Sequence, residues 1–433
     1  MTTLTEQEAP AAQPSPEPEP ASANNPKQVI QLLVALVLIT GVFVALGLGY
    51  LLLFIAILFA IVMLHEFGHF ITAKRAGMKV TEYFVGFGPR LWSVRKGETE
   101  YGVKAIPAGG YVKIVGFTST EEVPEEDEAR AYRQQPFHQR IIVACAGSAM
   151  HLIIALVLAV IVVVGLGQTT NNYKVGSLEH WQGRTTPAAI AGLKAGDTIV
   201  SINGKSFSSP TSMTDIVKHS VGKPLHIGVE RDGRVIELAA TPANGKGVTV
   251  QGERLANQGY LGISIIAATK PVSALAAPGA AVSMVGNIVG ETVTGVGQLF
   301  SFHGLSSIAH QVTNSKAAQT AADNPGSAPR GCSLICMADI GTQTEHIGLY
   351  SVLTFLIAIN IAFAIFNMLP MVPLDGGHVA IAGYEWIRTK KGEKYYRADI
   401  TKLMPVAAVF VAFLLVFVAA SMYLDITHPL QLH

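Results

Sequence analysis

Charged residues are scarce in this sequence: they make up 14% of 433 positions, where an average soluble chain carries about 25%. Half of the residues are hydrophobic, mean hydropathy is +0.39, and the run from Val29 to Leu64 holds no charge at all. That balance excludes a wholly soluble protein. Net charge is +1 and no basic tract is present, so nothing points to nucleic acid as a partner. Cysteine is equally sparse. Cys145, Cys332 and Cys336 are too few for a disulfide framework and lack the spacing of a four-ligand structural zinc site, although a Cys332–Cys336 disulfide is chemically possible on an outer surface. Residues 1–27 have few large apolar side chains and are rich in Pro, Glu, Ala and Ser, which predicts a disordered tail. They also lack the basic start and cleavage pattern of a secretory signal, so the apolar run that follows is expected to stay in the mature protein.

What the chain does have is long apolar segments. Four regions are expected at the membrane: 28–71, 141–166, 347–388 and 404–424. As one helix, Val29–Leu64 would measure about 54 Å against a hydrocarbon core of about 30 Å. It is therefore either one long tilted helix or a hairpin of two helices broken near Gly47-Leu48-Gly49, giving four or five spans in all. Basic residues gather in 72–140, starting from Lys74, Arg75 and Lys79, and mark that region as cytoplasmic, as does the basic loop 389–403.

At the end of the first apolar run stands His65-Glu66-Phe67-Gly68-His69. Positions four apart share a helix face, so both imidazoles can reach one zinc ion at about 2.0–2.1 Å, with the Glu66 carboxylate free to take a proton. Two histidines at this spacing more often belong to a core or a solvated face. Three ionisable groups at one point of a membrane segment favour function instead, because such groups are expensive there. In this arrangement a metal polarises water while the carboxylate serves as general base, the combination needed to attack an amide.

Between the spans the character changes. Residues 82–89, 101–106 and 110–114 alternate apolar and polar groups between Gly and Pro, which predicts a small sheet whose free edge is either structural or a place for an extended substrate to add. Residues 172–267 lose the membrane pattern, with turn signals at Asn203-Gly204 and Asp232-Gly233. Here Ala191-Gly192-Leu193-Lys194-Ala195-Gly196-Asp197, with Ile199, Ile202, Asn203 and Gly204, resembles a PDZ domain. The resemblance implies a carboxylate loop at Tyr260-Leu261-Gly262-Ile263 and a flanking helix at 211–220. Such a module either captures peptide ends or limits access by its bulk. Within 268–346, a helix-period stripe from Ala280 to His310 predicts a helix that lies on the outer membrane surface or packs against the preceding domain. His151, alone in the second span, is read as a polar contact between helices.

The third apolar segment ends in Asn367-Met368-Leu369-Pro370-Met371-Val372-Pro373-Leu374-Asp375-Gly376-Gly377-His378. Asp375 is the natural third ligand, since a buried carboxylate needs a cation beside it. The two prolines and two glycines predict broken helix geometry, tolerated at membrane depth only inside protein or around a wet cavity.

HEFGH, the Asn367-x-x-Pro370-x-x-x-Leu374-Asp375-Gly376 pattern and the PDZ-like insert between them resemble the site-2 protease family of intramembrane zinc metalloproteases. That resemblance implies a polytopic α-helical membrane protein with a cytoplasmic membrane-associated β-hairpin region, like that of Gly86-Phe87-Gly88-Pro89, and an extracytoplasmic PDZ-like α+β domain. It implies Zn2+ held by His65, His69 and Asp375, Glu66 as base, and Asn367 contacting the substrate backbone or developing oxyanion; His378 takes no ligand role. The implied substrates are single-span membrane proteins, such as anti-sigma factors already trimmed outside, and signal-peptide remnants, in a bacterial inner or plasma membrane. One departure is clear: Gly147-Ser148-Ala149-Met150-His151 stands where the family commonly has Gly-Pro-x-x-Asn, so no role is carried over to the second span. Two other classes stay in view. A catalytically inactive scaffold is disfavoured by the intact Glu66, and a metal transporter by the lack of repeated halves.

Overall fold

The computed structural model describes residues 26–430 apart from 47, 118–120, 180, 182–184, 207–209, 247–248, 251–252, 255–256, 324–327, 334–335, 337–348 and 390–395. The expected tail therefore lies almost wholly outside the described residues, as does much of the basic loop 389–403. The chain divides into two compact units, Met1–Met150 with Asn367–Ala408, and His151–Phe366 with Val409–His433.

The first unit is organised around helix α2, Gly49–Arg75, which follows α1, Pro26–Ala45. Between them the Leu48 amide donates back to the Phe43 carbonyl at 2.7 Å. Among the described residues four helical stretches are long and apolar enough to cross a membrane: Leu51–Arg75, Phe137–Gly165, Leu349–Asn367 and Thr401–Thr427. Leu33–Ala45 is a shorter apolar helix. Lys74 and Arg75 in the last turn of α2 suit its carbonyl-rich end. A Schellman closure then stops it: Met78 N–H reaches Ala73 and Gly77 N–H reaches Lys74, with Gly77 at φ +78°.

Strands β1, Val80–Lys96, and β2, Thr99–Ile114, fold back as a sheet against α2. The first part of β1 is paired on two sides, Phe84 with Tyr111 and with Gly102, while Ser93 pairs with Gly102 from the far side. Gly110–Ile114 is left as an edge. Tyr83 Oη donates to the Met63 carbonyl at 2.8 Å, and the rings of Phe70 and Tyr83 lie 5.3 Å apart, which fixes the sheet on the helix that carries the HEFGH stretch. Glu98 at the sheet's turn accepts from both terminal nitrogens of Arg130, at 2.7 and 3.0 Å, and from Lys74 at 2.7 Å. Arg130, with Lys74 beside it, holds the Glu98 carboxyl down at about 2. Helix α3, Phe137–Gly165, supplies Val143 to the core beneath the sheet, with Ala73, Met78, Val80, Ile114 and Tyr132.

In the second unit a five-stranded sheet runs in the order β7-β3-β4-β5-β6, where β3 is Gln168–Leu178, β4 Thr198–Ile202, β5 Leu225–Arg231, β6 Arg234–Ala240 and β7 Ile263–Lys270. Asp232 and Gly233, both at positive φ, form the two-residue turn of a full β5–β6 hairpin. Asn203 and Gly204 form the same kind of turn, but only the Ile202–Lys205 bridge follows, because the chain leaves for helix α4, Pro210–Lys218. Val175, Leu193, Ile199, Ile227 and Val229 fill the core of this sheet.

The stripe from Ala280 to His310 becomes two helices, α5 at Ala277–Leu299 and α6 at Phe302–Thr313. Its buried side packs against two other helices. Ala277 and Ala281 sit in a core with Ala155, Ala159, Val162 and Val163 of α3 and with Ile357 and Ile361 of helix α7, Leu349–Asn367. The stripe reads weakly because its buried positions are small residues that let helices approach. His151 makes the interhelical contact read from sequence, its Nδ1 lying 3.1 Å from Asn360 Oδ1. Cys332 and Cys336 form a disulfide.

The Asp197 carboxylate, nearly fully buried, takes both Nε and Nη2 of Arg231 at 2.7 and 2.6 Å and the Lys194 amide at 2.7 Å. Hydrogen bonding to Arg231, aided by the amide, holds this carboxyl below the usual range. A depressed native value means that the contribution to stability is complete above about pH 4, the ordinary Asp value, and is lost as pH falls through the native one. Asp197→Asn should therefore lower the unfolding midpoint of this sheet at neutral pH and remove that acid-side dependence. Thermal melts of parent and variant from pH 7 down to pH 3 check both.

Candidate metal centre

HEFGH lies on α2 two turns before its end, and 3.6-residue periodicity puts His65 and His69 on the same face, with ring centroids 4.9 Å apart. Asp375 begins helix α8, Asp375–Arg388. The irregular segment expected here spans residues 368–374, and its Val372–Pro373 peptide is cis. Gly376 and Gly377 do not break the helix. They lie inside its first turn, because the backbone of Met368–Val372 folds back so closely that a β-carbon at Gly377 would meet the Met371 carbonyl carbon at 2.8 Å. Side-chain-free positions are what allow the carboxylate to start a helix immediately after the fold-back.

His65 Nε2 and His69 Nε2 are 3.3 Å apart, and Asp375 Oδ2 is 3.4 and 3.3 Å from them. Those distances describe a nearly equilateral triangle. Four donors placed tetrahedrally at about 2.0–2.1 Å from zinc are separated by about 3.3–3.4 Å, so the spacing of these three atoms is one that could hold zinc. His65 and His69 are 8% and 4% exposed, and among the described residues no hydrogen-bond donor satisfies Asp375 Oδ2. Imidazole nitrogens with a carboxylate oxygen form a donor set zinc accepts. Among the described residues this is the one cluster of three or more such groups that could hold a metal.

Helix α3 supports the pair from behind. The Val143 carbonyl is 2.7 Å from His69 Nδ1, which fixes that nitrogen as the donor and turns Nε2 toward the triangle. A β-carbon at Gly147 would fall on both imidazoles. Val143, whose contribution is a backbone oxygen, carries no signal in the sequence, and Gly147, whose contribution is a missing side chain, carries little.

Glu66, next to the ligands, accepts the Val112 amide at 3.1 Å on its Oε2. Val112 belongs to the Gly110–Ile114 edge, so the carboxylate sits at the side of the sheet where another strand could add. Asn367, half-buried, closes α7 eight residues before Asp375 and is not one of the three donors. His378 is also outside the triangle, its ring tilted against that of Phe117 with centroids 4.1 Å apart.

Gly147→Val should displace the imidazoles. Zinc bound per chain, measured by metal analysis after dialysis against a weak chelator, is expected to fall at least about tenfold, the scale of defects in residues that orient ligands.

The family model for peptidase family M50 matches residues 53–414. Zinc metalloprotease Rip1 of Mycobacterium tuberculosis strain H37Rv is 34% identical over 419 residues, covering 89% of this chain and 98% of that one. Rip1 of Mycolicibacterium smegmatis is 33% identical over 414 residues, covering 89% and 99%. A match across both ends of the donor triangle, with relatives aligned along nearly their full length, places this chain in peptidase family M50, the site-2 protease type of zinc metalloprotease.

Proposed function

We propose that the protein is an intramembrane endopeptidase that cuts single-span membrane proteins within or beside their membrane segment, with His65, His69 and Asp375 as zinc ligands and Glu66 as general base. The observation that carries this reading is the buried donor triangle at the end of an apolar helix, with Glu66 at its side and facing a sheet edge. When bound, zinc supplies Lewis acidity, lowering the pKa of a coordinated water and polarising a carbonyl.

The chain's own residues do the rest. His65 and His69 are preset by one helix and by the Val143 carbonyl, so little ordering is left for metal binding. Glu66 is held by the Val112 amide, which keeps its carboxylate from swinging away and leaves Oε1 to take a proton. A peptide bond inside a helix has its carbonyl and amide engaged, and an unwound segment in a membrane needs replacement partners. The Gly110–Ile114 edge offers them, so an added substrate strand would lie alongside Glu66. Asn367 is assigned to the substrate backbone or the developing oxyanion.

Substrates of this class include anti-sigma factors whose outer domains have been removed, and remnants of signal peptides. The site operates in a bacterial cell membrane, with residues 72–140 on the cytoplasmic side and 172–267 outside. The five-stranded sheet of that outer segment is read as a PDZ-like module acting mainly as a size filter, since a folded insert excludes other folded domains by volume alone. The carboxylate loop is assigned to Leu261 and Gly262; the Leu261 carbonyl accepts the Ala188 amide at 2.9 Å, which gives the loop a fixed shape.

Glu66→Gln keeps shape and hydrogen bonding but cannot accept the proton. In proteoliposomes with a single-span substrate, cleavage should fall at least about a hundredfold while zinc content stays at the parent level. Near-parental turnover by this variant would refute the mechanism. Asp375→Ala should lose zinc as well as activity, since three ligands are the minimum for a catalytic site.

Filtering and capture separate on one substrate, full-length and pre-trimmed, presented to intact enzyme and to enzyme lacking 172–267. The filter predicts that deletion opens cleavage of the full-length form. If deletion instead abolishes cleavage of the trimmed form while zinc stays bound, capture takes its place.

A further inference from the structure

We propose that Arg140 and Glu385 are positioning residues for the metal centre, a buried ion pair that sets where Asp375 stands relative to His65 and His69. The proposal rests on the reading of those three residues as zinc ligands.

His65 and His69 need no outside help to face the same way, because they share a helix. Asp375 is different: it comes from over 300 residues further along the chain and reaches the triangle only as well as α8 is placed. Useful metal geometry has to be held to about 0.5 Å, so something must fix α8 before metal arrives.

Three turns along α8 from Asp375, Glu385 turns its carboxylate inward, 7% exposed. Its Oε2 accepts Arg140 Nη1 at 2.6 Å, and its Oε1 accepts the Ala398 amide at 2.8 Å. Arg140 stands in the first turn of α3, with its guanidinium 5.2 Å from the centre of the Tyr132 ring, and its own carbonyl accepts Tyr132 Oη at 3.1 Å. Three residues further along α3 is the Val143 carbonyl that holds His69, and seven residues along is Gly147, against which both imidazoles lie. One end of the ion pair thus belongs to the helix that orients the histidines, and the other to the helix that carries the carboxylate. Arg140–Glu385 is the one ion pair among the described residues that joins these two helices.

A buried pair of this kind contributes little net stability, because desolvation offsets its attraction, but it fixes register where apolar packing tolerates sliding. That predicts a defect in metal geometry out of proportion to any defect in folding. Glu385→Gln keeps the shape and the acceptor for Ala398 while removing the charge.

The experiment uses full-length protein purified in detergent, with zinc affinity measured by competition against a chromophoric chelator and ligand geometry by the visible spectrum of the cobalt-substituted form. Glu385→Gln should bind zinc about tenfold or more weakly, alter the cobalt spectrum, and lose kcat with KM little changed. Arg140→Lys, which keeps the charge, should stay near the parent. The double variant Arg140→Met, Glu385→Gln should cost no more than the worse single change, since the two act through each other. The zinc-free melting midpoint should fall in Glu385→Gln, which leaves the Arg140 charge buried without its partner, and return toward the parent in the double variant while zinc affinity stays low. Parental zinc affinity and cobalt spectrum in Glu385→Gln, additive losses in the double variant, or a zinc affinity that recovers in the double variant along with its midpoint would each overturn the proposal. A parent that binds no zinc overturns the reading of the site together with it; a parent that binds zinc, beside an indistinguishable Glu385→Gln, overturns this proposal alone.

Discussion

Two imidazole nitrogens and a carboxylate oxygen, about 3.3 Å from one another and shut away from water, set the terms for the rest of this structure. Lone pairs brought that close in a low-dielectric setting repel unless a cation sits among them, so the fold has to impose the arrangement in advance of any metal. The means of imposing it differ by residue. Secondary structure alone aligns the histidines; a carbonyl and a glycine on a neighbouring helix fix their rings; and the carboxylate depends on an irregular segment packed tightly against the first turn of its own helix.

The same economy of position explains why the sheet lies where it does. Tyr83 anchors it to the Met63 carbonyl, one turn before Glu66, and Val112 donates to Glu66 itself. Backbone hydrogen bonding is thereby brought up to the helix that carries the HEFGH stretch. The Glu98, Lys74 and Arg130 cluster at the far end keeps the sheet's turn from drifting off the end of α2.

Much of this was legible in the residues. HEFGH and Asp375 carry their chemistry in side-chain type and spacing, and the structure brings His65, His69 and Asp375 together. The spans were legible because hydrophobic length is a direct signature, and Asp232-Gly233 because left-handed turns demand such residues. Val143 and Gly147 were hidden, since a carbonyl has no sequence signature and an absent side chain shows only once its neighbours are placed. Gly376 and Gly377 were misjudged for a related reason: glycine signals close approach as often as helix breaking, and only the path of Met368–Val372 decides between them. The stripe of α5 found its partners among alanines and valines of two spans, a long-range choice no local periodicity encodes.

Membrane helices pack without a strong hydrophobic drive between them, so their relative placement rests on shape and on a few polar contacts. In this chain those polar contacts stand at the points where slippage would matter. His151 meets Asn360 between α3 and α7. Arg330 and Ser333 both reach Asp425 near the end of the last helix, on either side of Cys332. Each contact would be a liability if left half-made, because an unpaired polar group in an apolar surrounding costs more than the pair returns. That asymmetry is what makes them useful: a helix displaced by one residue loses the partner and meets the penalty, so polar pairs act as register marks on surfaces that packing alone would let slide.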